Sequence, residues 1–314
     1  MTQIPFFRLM NYQKERRDNL NLMSKKKLII IIGPTAAGKT EYAVDLAIKL
    51  GSPVISCDSR QIYRELRIGT APPTPEQLSA VKHYFIFSHS IHDLYTAGKY
   101  EVETLALLED LFKTHDSLVM AGGSGLYVDA VCRGIDNFPP ADIPLRETLM
   151  QRLKNDGLES LRMELRLLDR ESYETIDISN PQRVVRALEV FFATGKTFSS
   201  FKNFKSKTRD FEIEKLFIEK PREELYARIN RRVDLMMEQG LLEEVRTLYP
   251  YRERPALKTV GYRELFEYLD GKCSIEEAID LIKRNTRRYA KRQMTWWRRD
   301  IGTVIDNPSV RNRP

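Results

Sequence analysis

The sequence predicts an α/β protein: a parallel-sheet core carrying a phosphate-binding loop (P-loop) and flanked by helices, with a mostly helical insertion domain. Three observations predict it. The apolar run LIIII (28–32) leads directly into GPTAAGKT (33–40) and then into a helical pattern, the strand, glycine-rich loop and helix order of a phosphate-binding loop. Short apolar runs alternate with helical periodicity through the first half, as in a sheet covered by helices on both faces. The proline-rich stretch GIDNFPPADIP (134–144) then breaks this alternation, and a charged, mostly helical region follows, which marks a domain boundary.

Each element has its own signal. LIIII has no polar alternation, as befits a strand buried on both faces. From about Lys39 a helix places Ala43, Leu46, Ala47 and Leu50 on one side. PVISC (53–57), HYFIF (83–87) and SLVMA (117–121) read as further strands, and 100–112 as a helix with Leu105, Leu108, Leu111 and Phe112 together. In NPQRVVRALEVFFATG (180–195), Asn180 can cap, Pro181 fits the first turn and Gly195 can end the helix. Its apolar face is Val184, Leu188 and Phe191, with Val185 and Phe192 alongside. KSKTRD (205–210) is a charged linker, EKLFIE (214–219) returns the chain to the sheet, and 222–249 and 275–299 read as helices. The expected division is a core of 24–137 and 206–314 with a helical insertion at 138–205. Residues 1–23 are polar and aperiodic, and MSKKKLIIII from Met23 reads as a natural start. They are expected to be a disordered arm or the product of an upstream start codon.

The 314 residues, 42% of them hydrophobic, suffice for more than one compact unit. A formal net charge of +7 favours a polyanionic partner, either nucleic acid or an acidic membrane surface. No apolar run approaches the roughly 18 residues of a membrane span, and the first residues lack the apolar stretch of a secretory signal. A cytoplasmic protein with no membrane role is the expectation. Cys57, Cys132 and Cys273 match no zinc or redox spacing, which leaves ordinary packing in a reducing compartment. His83, His89, His92 and His115 show no ligand spacing either.

The loop 33–40 carries the clearest chemistry. Its N–H groups and the following helix N-terminus form an anion cradle. Gly33, Pro34, Thr35, Ala36, Ala37, Gly38, Lys39 and Thr40 are the candidate diphosphate- or nucleotide-binding residues, with Lys39 reaching the outer phosphate and Thr40 offering its hydroxyl to Mg²⁺. Alone, the loop favours ATP. In CDSRQIY (57–63), Asp58 follows the second strand, and open α/β sheets bind ligands outside the carboxyl ends of their strands. A carboxylate there can hold Mg²⁺ or take a proton from a substrate; the competing account is a loop aspartate capping the next turn. AGGSGLY (121–127) brings two glycines and Ser124 to the same sheet edge, although a tight turn also explains the glycines. An ATPase of this class carries an aspartate after such a strand, and none follows LVM (118–120) here, which weakens a motor or switch reading.

Two further groups are basic. QRVVR (182–186) puts Gln182, Arg183 and Arg186 along one helix flank, where arginines can grip phosphates. A solvated face with local ion pairs, such as Arg186 with Glu189, accounts for them equally well. From 283 to 299 there is no acidic residue; Arg284, Arg287, Arg288, Lys291 and Arg292 recur at helical spacing, interleaved with Tyr289, Trp296 and Trp297. A one-signed aromatic helix suits a nucleic-acid backbone or an acidic small ligand; a soluble helix with buried tryptophans is the alternative. Arg228 and Arg232, one turn apart, could also reach phosphate.

GPTAAGKT, ISCDSRQIYRELRIGTA, AGGSGLY, NPQRVVRALEVFFATGK, VGYRELFEYLDG and AKRQMTWWRR follow one another between 28 and 300. This ordered set closely resembles the tRNA dimethylallyltransferases, which prenylate N6 of the adenosine beside the anticodon. The resemblance implies dimethylallyl diphosphate rather than ATP in the loop, Mg²⁺ as cofactor, and tRNA bound by its anticodon stem-loop with adenosine 37 in the site. It implies that Thr35 to Thr40 bind the diphosphate, that Asp58 is the general base for the adenine amino group, and that Ser124, where many relatives have threonine, completes the catalytic pair. Asp58, Ser59, Arg60 and Gln61 would line the base-binding region, and Ser124 would also be among the tRNA-binding residues. Gln182, Arg183, Val184, Val185 and Arg186 would contact tRNA, making 138–205 a tRNA-binding domain. Arg146 matches a family tRNA-contact arginine and Arg232 an arginine near the diphosphate. Pro72 stands where many relatives have lysine, and there is no C-terminal zinc-finger spacing, so the chain resembles the bacterial form, expected as a monomer.

The implied chemistry fits the residues. The cradle and its cations would stabilise charge as the C–O bond breaks, an aspartate can orient a poorly nucleophilic amine and take its proton, and the base must leave its stack. No water needs activating, which suits the missing aspartate. A small-molecule or nucleotide kinase with the insertion as a lid, and a nucleotide-gated RNA-binding protein without transfer chemistry, are the alternatives.

Overall fold

A computed structural model describes residues 26–136, 138–202, 207–299 and 303–305. The expected arm at 1–23 lies outside the described residues. The chain divides into two compact units, Gly134–Lys207 and the remainder.

The larger unit is built on a six-stranded sheet of β1 (Lys27–Ile32), β2 (Val54–Ser56), β3 (His83–Tyr84), β4 (Ser117–Ala121), β5 (Glu212–Ile218) and β6 (Thr303–Ile305). The order is β3-β2-β4-β1-β5-β6 and every pairing is parallel. Its helices are α1 (Lys39–Leu50), α2 (Pro75–Ala80), α3 (Ala97–Leu111) and α4 (Gly125–Arg133) before the smaller unit. After it come α8 (Arg222–Glu238), α9 (Leu241–Leu248), α10 (Tyr262–Leu269) and α11 (Ile275–Trp297). The smaller unit holds α5 (Ile143–Leu168), α6 (Arg170–Thr175) and α7 (Pro181–Thr194).

β1 runs between β4 and β5, with Ile30 opposite Met120 and Lys215. Its alternate side chains enter two cores. Leu28, Ile30 and Ile32 pack with Leu118, Met120, Val128 and Phe217 on one face. Ile29 and Ile31 pack with Ala43 and Ala47 of α1 and Leu225 and Ile229 of α8 on the other. Burial on both faces is why LIIII shows no polar alternation, and each such side chain contributes about 1.5–3 kcal/mol.

Several boundaries differ from the sequence pattern, each for a local reason. HYFIF yields only a two-residue strand, because Phe85 and Phe87 take positive φ values of 60° and 52°, which no β-strand accommodates. The helix expected at 222–249 is two helices, split where Gly240 turns left-handed at φ 95°. In α1 the buried set is Ala43, Val44 and Ala47, and Leu50 is exposed. α2, α4, α10 and β6 have no counterpart among the elements expected from sequence.

The smaller unit has its own core of Leu149, Leu161, Leu165, Val184, Val185, Ala187 and Leu188. α7 begins as its sequence implies: the Asn180 side chain accepts from Gln182 N–H, Pro181 fills the first turn, and Gly195 ends it at φ 71°. α5 is interrupted at Gly157, whose φ is 78°.

Candidate active site

β1 delivers the chain into the 33–38 loop. Gly33 has φ 148°, and a Cβ there would lie 2.6 Å from the Ile218 carbonyl oxygen of β5, so only glycine lets the two strands stay paired to this point. Gly38 opens α1 with no side-chain cap, whereas Thr96, Asn180 and Ser274 cap α3, α7 and α11. The N-terminus of α1 is thus presented by backbone alone, the arrangement in which helix dipoles take anions.

Cations gather on this loop. Lys39 Nζ donates to the Pro34 carbonyl at 2.8 Å, Arg228 Nε donates to the Ala36 carbonyl at 2.8 Å, and Arg232 Nη1 lies 3.5 Å from Thr35 Oγ1. Burial and then the Arg232 charge draw the Lys39 ammonium down to about 8, with Asp58 acting in the opposite sense. Burial and then Arg228 hold Arg232 below the ordinary arginine value. A cluster that resists its own charge is the kind a bound polyanion relieves.

The neighbouring strand ends supply the carboxylate. After β2, Asp58 Oδ1 accepts from Arg60 N–H at 2.8 Å and Gln61 N–H at 3.2 Å. Asp58 therefore does cap its turn, with one carboxylate oxygen. The turn after β4 is laced to the same segment: Cys57 N–H donates to the Ala121 carbonyl at 2.9 Å, Ser124 N–H donates to the Cys57 carbonyl at 3.2 Å, and Ser59 N–H donates to Ser124 Oγ at 2.9 Å. Ser124 O–H donates to Ser59 Oγ at 3.0 Å. Gln61 donates its side-chain amide to the Thr70 and Ala71 carbonyls at 3.1 and 2.9 Å.

One cleft of about 500 Å³ is lined by Lys39, Thr40, Asp58, Gln61, Arg232 and Gln293 among others, and Pro72 is also on its wall. Its size suits a small ligand. Ser59, Arg60 and Ser124 are not among the residues that line it. A second cleft, of about 660 Å³, lies beside Arg222, Tyr226 and Lys291 and contains no residue of the 33–40 loop, the 58–61 turn or Ser124.

Two contributors were missed by the sequence reading. Glu244 of α9 accepts from the N–H groups of Arg67, Ile68 and Gly69 at 2.9, 2.8 and 3.1 Å, and buried Tyr262 donates its hydroxyl to the same carboxylate at 2.6 Å. This fixes the loop that carries Ile68, Thr70 and Ala71 on the cleft wall, and gives the VGYRE motif a physical task. The other is Gln293 of α11: Thr35 N–H donates to its Oε1 at 2.8 Å, and its Nε2 donates to the Gly123 carbonyl at 2.9 Å. Nothing in its spacing singles it out, since Asn285, Thr286, Met294 and Thr295 also interrupt the basic run 283–299.

The rest of α11 mixes tethers and free surface. Lys283 pairs with Asp234 at 2.6 Å and Arg287 donates to Asn230 Oδ1 at 2.6 Å, tying α11 to α8. Arg284, Arg288, Lys291 and Arg292 are exposed, whereas Trp297 is buried. Cys57 and Cys132 are buried and outside any disulfide. Among the described residues, no helix is long and apolar enough to cross a membrane and no cluster of three His, Cys, Asp or Glu could hold a metal.

In the smaller unit, Gln182 and Arg183 are exposed on α7. Val184 and Val185, placed among the tRNA-contact residues above, have 0% and 1% exposure. This corrects that expectation for their side chains, which are core, because they occupy the helix face turned to Leu149, Leu161 and Leu165. Arg146 and Arg186 converge on Glu189, whose side chain is 0% exposed: Arg146 Nη2 lies 2.7 Å from Oε2, and Arg186 Nη1 2.8 Å from Oε1. The local pair Arg186–Glu189 exists, but as a buried rather than a solvated contact.

The chain is similar to known proteins over most of its length. The family model described as IPP transferase matches residues 61–300. The chain is 49% identical to tRNA dimethylallyltransferase 1 of Phocaeicola vulgatus over 90% of its own length and 94% of the relative's. It is also 49% identical to tRNA dimethylallyltransferase of Christiangramia forsetii, over 87% and 90% of the two chains. Among solved structures, the tRNA isopentenylpyrophosphate transferase of Bacillus halodurans superimposes with a TM-score of 0.65 at 37% identity, covering 90% of each chain. A eukaryotic dimethylallyltransferase acting on tRNA shares the fold, with a TM-score of 0.75 at 24% identity over 91% of this chain and 75% of that one. By sequence and by fold, the chain belongs to the IPP transferase family.

Proposed function

We propose that this chain transfers a dimethylallyl group from dimethylallyl diphosphate to N6 of adenosine 37 in tRNA, giving N6-(dimethylallyl)adenosine and diphosphate. The observation that carries the reading is that one cleft holds both an anion cradle with Lys39, Arg228 and Arg232 and the Asp58 carboxylate, which follows β2 on the far side of β4. The family membership and the names of the relatives support the same reaction.

In this reading the loop 35–40 grips the diphosphate, and Lys39 and Arg232 stabilise the negative charge that grows on it as its bond to the prenyl carbon breaks. Removing one such donor from a comparable charge-stabilising site typically costs about 10²–10³ in rate. Asp58, held by two backbone N–H groups through Oδ1, takes the proton lost from N6 as the new C–N bond forms. The adenine must be drawn out of its stack to reach it. Mg²⁺ fits the donor set, since Mg²⁺ binds through one or two protein oxygens plus substrate phosphates and water; Thr40 would hold it, and it would supply charge neutralisation of the diphosphate. Ser124 acts through Ser59, supporting the Asp58 turn. Gln182, Arg183, Arg146 and Arg186 contribute to tRNA binding from the smaller unit, as do the exposed cations of α11. The enzyme works as a monomer in the cytoplasm.

Mass analysis of tRNA nucleosides from cells with and without this protein tests the reading. Dimethylallyl-adenosine at position 37 is expected only with the intact chain, and is expected to vanish with Asp58→Ala. Unmodified adenosine 37 in cells that make the protein would refute it.

A further inference from the structure

We infer that Gln293 is a positioning residue for transfer: through the two ends of one side-chain amide it holds the diphosphate loop and the acceptor-side turn in register. The inference rests on the prenyl-transfer reading above.

Four hydrogen bonds define the arrangement. The peptide between Pro34 and Thr35 is held at both ends: its carbonyl accepts from Lys39 Nζ at 2.8 Å and its N–H donates to Gln293 Oε1 at 2.8 Å. The peptide between Gly123 and Ser124 is held likewise: its carbonyl accepts from Gln293 Nε2 at 2.9 Å and its N–H donates to the Cys57 carbonyl at 3.2 Å. The first peptide fixes the site at which the Lys39 ammonium rests. The second fixes the turn whose Ser124 hydroxyl bonds Ser59, next to Asp58. One amide therefore stands between the group that receives the leaving charge and the group that receives the proton.

The chemistry of the side chain is specific to this task. The site needs one acceptor and one donor on a single planar group, and glutamine supplies both. Glutamate has no donor while ionised, and leucine or methionine have neither. Gln293 is 6% exposed and its bond to the Gly123 carbonyl is buried, so losing the amide leaves that carbonyl without its partner. Space is fitted as closely: a Cβ on Gly123 would fall 2.4 Å from Nε2.

The test uses the full chain, labelled dimethylallyl diphosphate and an anticodon stem-loop RNA. Gln293→Leu is expected to lower kcat by about tenfold or more, with the RNA Kd unchanged within about twofold. Gln293→Glu, nearly the same shape, provides a second readout that a packing role would not move. When protonated, its carboxyl again offers a donor to Gly123 and an acceptor to Thr35, so its kcat relative to the wild-type chain is expected to rise as pH falls. Wild-type kcat in Gln293→Leu, a loss confined to RNA affinity, or a Gln293→Glu ratio that stays flat or falls with falling pH would each overturn the inference. Should the wild-type chain itself transfer no label, the prenyl-transfer reading fails and this inference falls with it.

Discussion

Replacing Glu189 removes one carboxylate from beneath two arginines. Oε2 accepts from Arg146 Nε at 2.8 Å, and Oε1 accepts from Arg186 Nη1 at 2.8 Å and from Asp142 N–H at 2.9 Å. Asp142 in turn caps α5, accepting from Leu145 N–H at 3.0 Å. Breaking a buried pair by deleting one partner costs about 3–5 kcal/mol, because the other charge is left unpaired. Here the arginine side chains are 32% and 26% exposed, so water compensates in part and about 2–4 kcal/mol is expected for Glu189→Ala. Glu189→Gln keeps the volume and one acceptor while losing the charge, so about 1–2 kcal/mol is expected. Hydrogen exchange across 143–168 and 181–194, read against urea, measures the stability of these helices directly. Anticodon stem-loop binding is expected to weaken in the same order, since both arginines lose the anchor that sets their direction. A cost below about 1 kcal/mol for Glu189→Ala, or equal costs for the two variants, would refute the view that a buried shared charge holds this pair.

Other expectations concern the larger unit. Because the Lys39 ammonium is drawn down to about 8 and a bound diphosphate favours its charged form, binding takes up a proton above that pH. Affinity for a non-transferable dimethylallyl diphosphate analogue, followed by calorimetry, is therefore expected to be flat at about pH 6.5–7 and to fall up to about tenfold per unit above about pH 8; Lys39→Ala should abolish the dependence, and a flat profile in the wild-type chain would contradict the assignment. Gly33→Ala forces a Cβ to within 2.6 Å of the Ile218 carbonyl at φ 148°. A loss of about 2–4 kcal/mol in denaturant unfolding is expected, and wild-type stability would contradict the account of β1–β5 pairing. Arg288→Ala with Lys291→Ala, both exposed on α11, should weaken tRNA binding and reduce its log–log salt slope by about 1–2; an unchanged slope would remove α11 from the RNA surface.

The elements legible in the sequence were those with a strong one-dimensional pattern. LIIII and the loop after it announce a buried strand, a cradle and a helix, and NPQRVVR with Gly195 marks both ends of α7. Asp58 was legible because ligands gather at strand ends in open parallel sheets. What stayed hidden depends on partners far away in the chain. Gln293 meets Thr35 and Gly123 across 258 and 170 residues, and Glu244 meets Arg67 across 177, distances at which spacing rules are silent. Burial was the other blind spot: Arg186 and Glu189 are neighbours on any helical projection, but only the fold shows that Glu189 is fully enclosed and that Arg146 joins it. The short β3 failed for a local reason, since positive φ at two phenylalanines runs against residue preference and leaves no trace in hydrophobic pattern.

Following label shows whether this cleft breaks a bond between carbon and oxygen, as proposed, or one within a phosphate chain. The purified chain is given dimethylallyl diphosphate labelled in the prenyl group, ATP labelled at the γ-phosphate, and an anticodon stem-loop RNA carrying adenosine 37. Prenyl label is expected on N6 of that adenosine, with none after Asp58→Ala and no phosphate transferred. Prenyl label left entirely in the diphosphate, or γ-phosphate moving to an acceptor, would contradict the account.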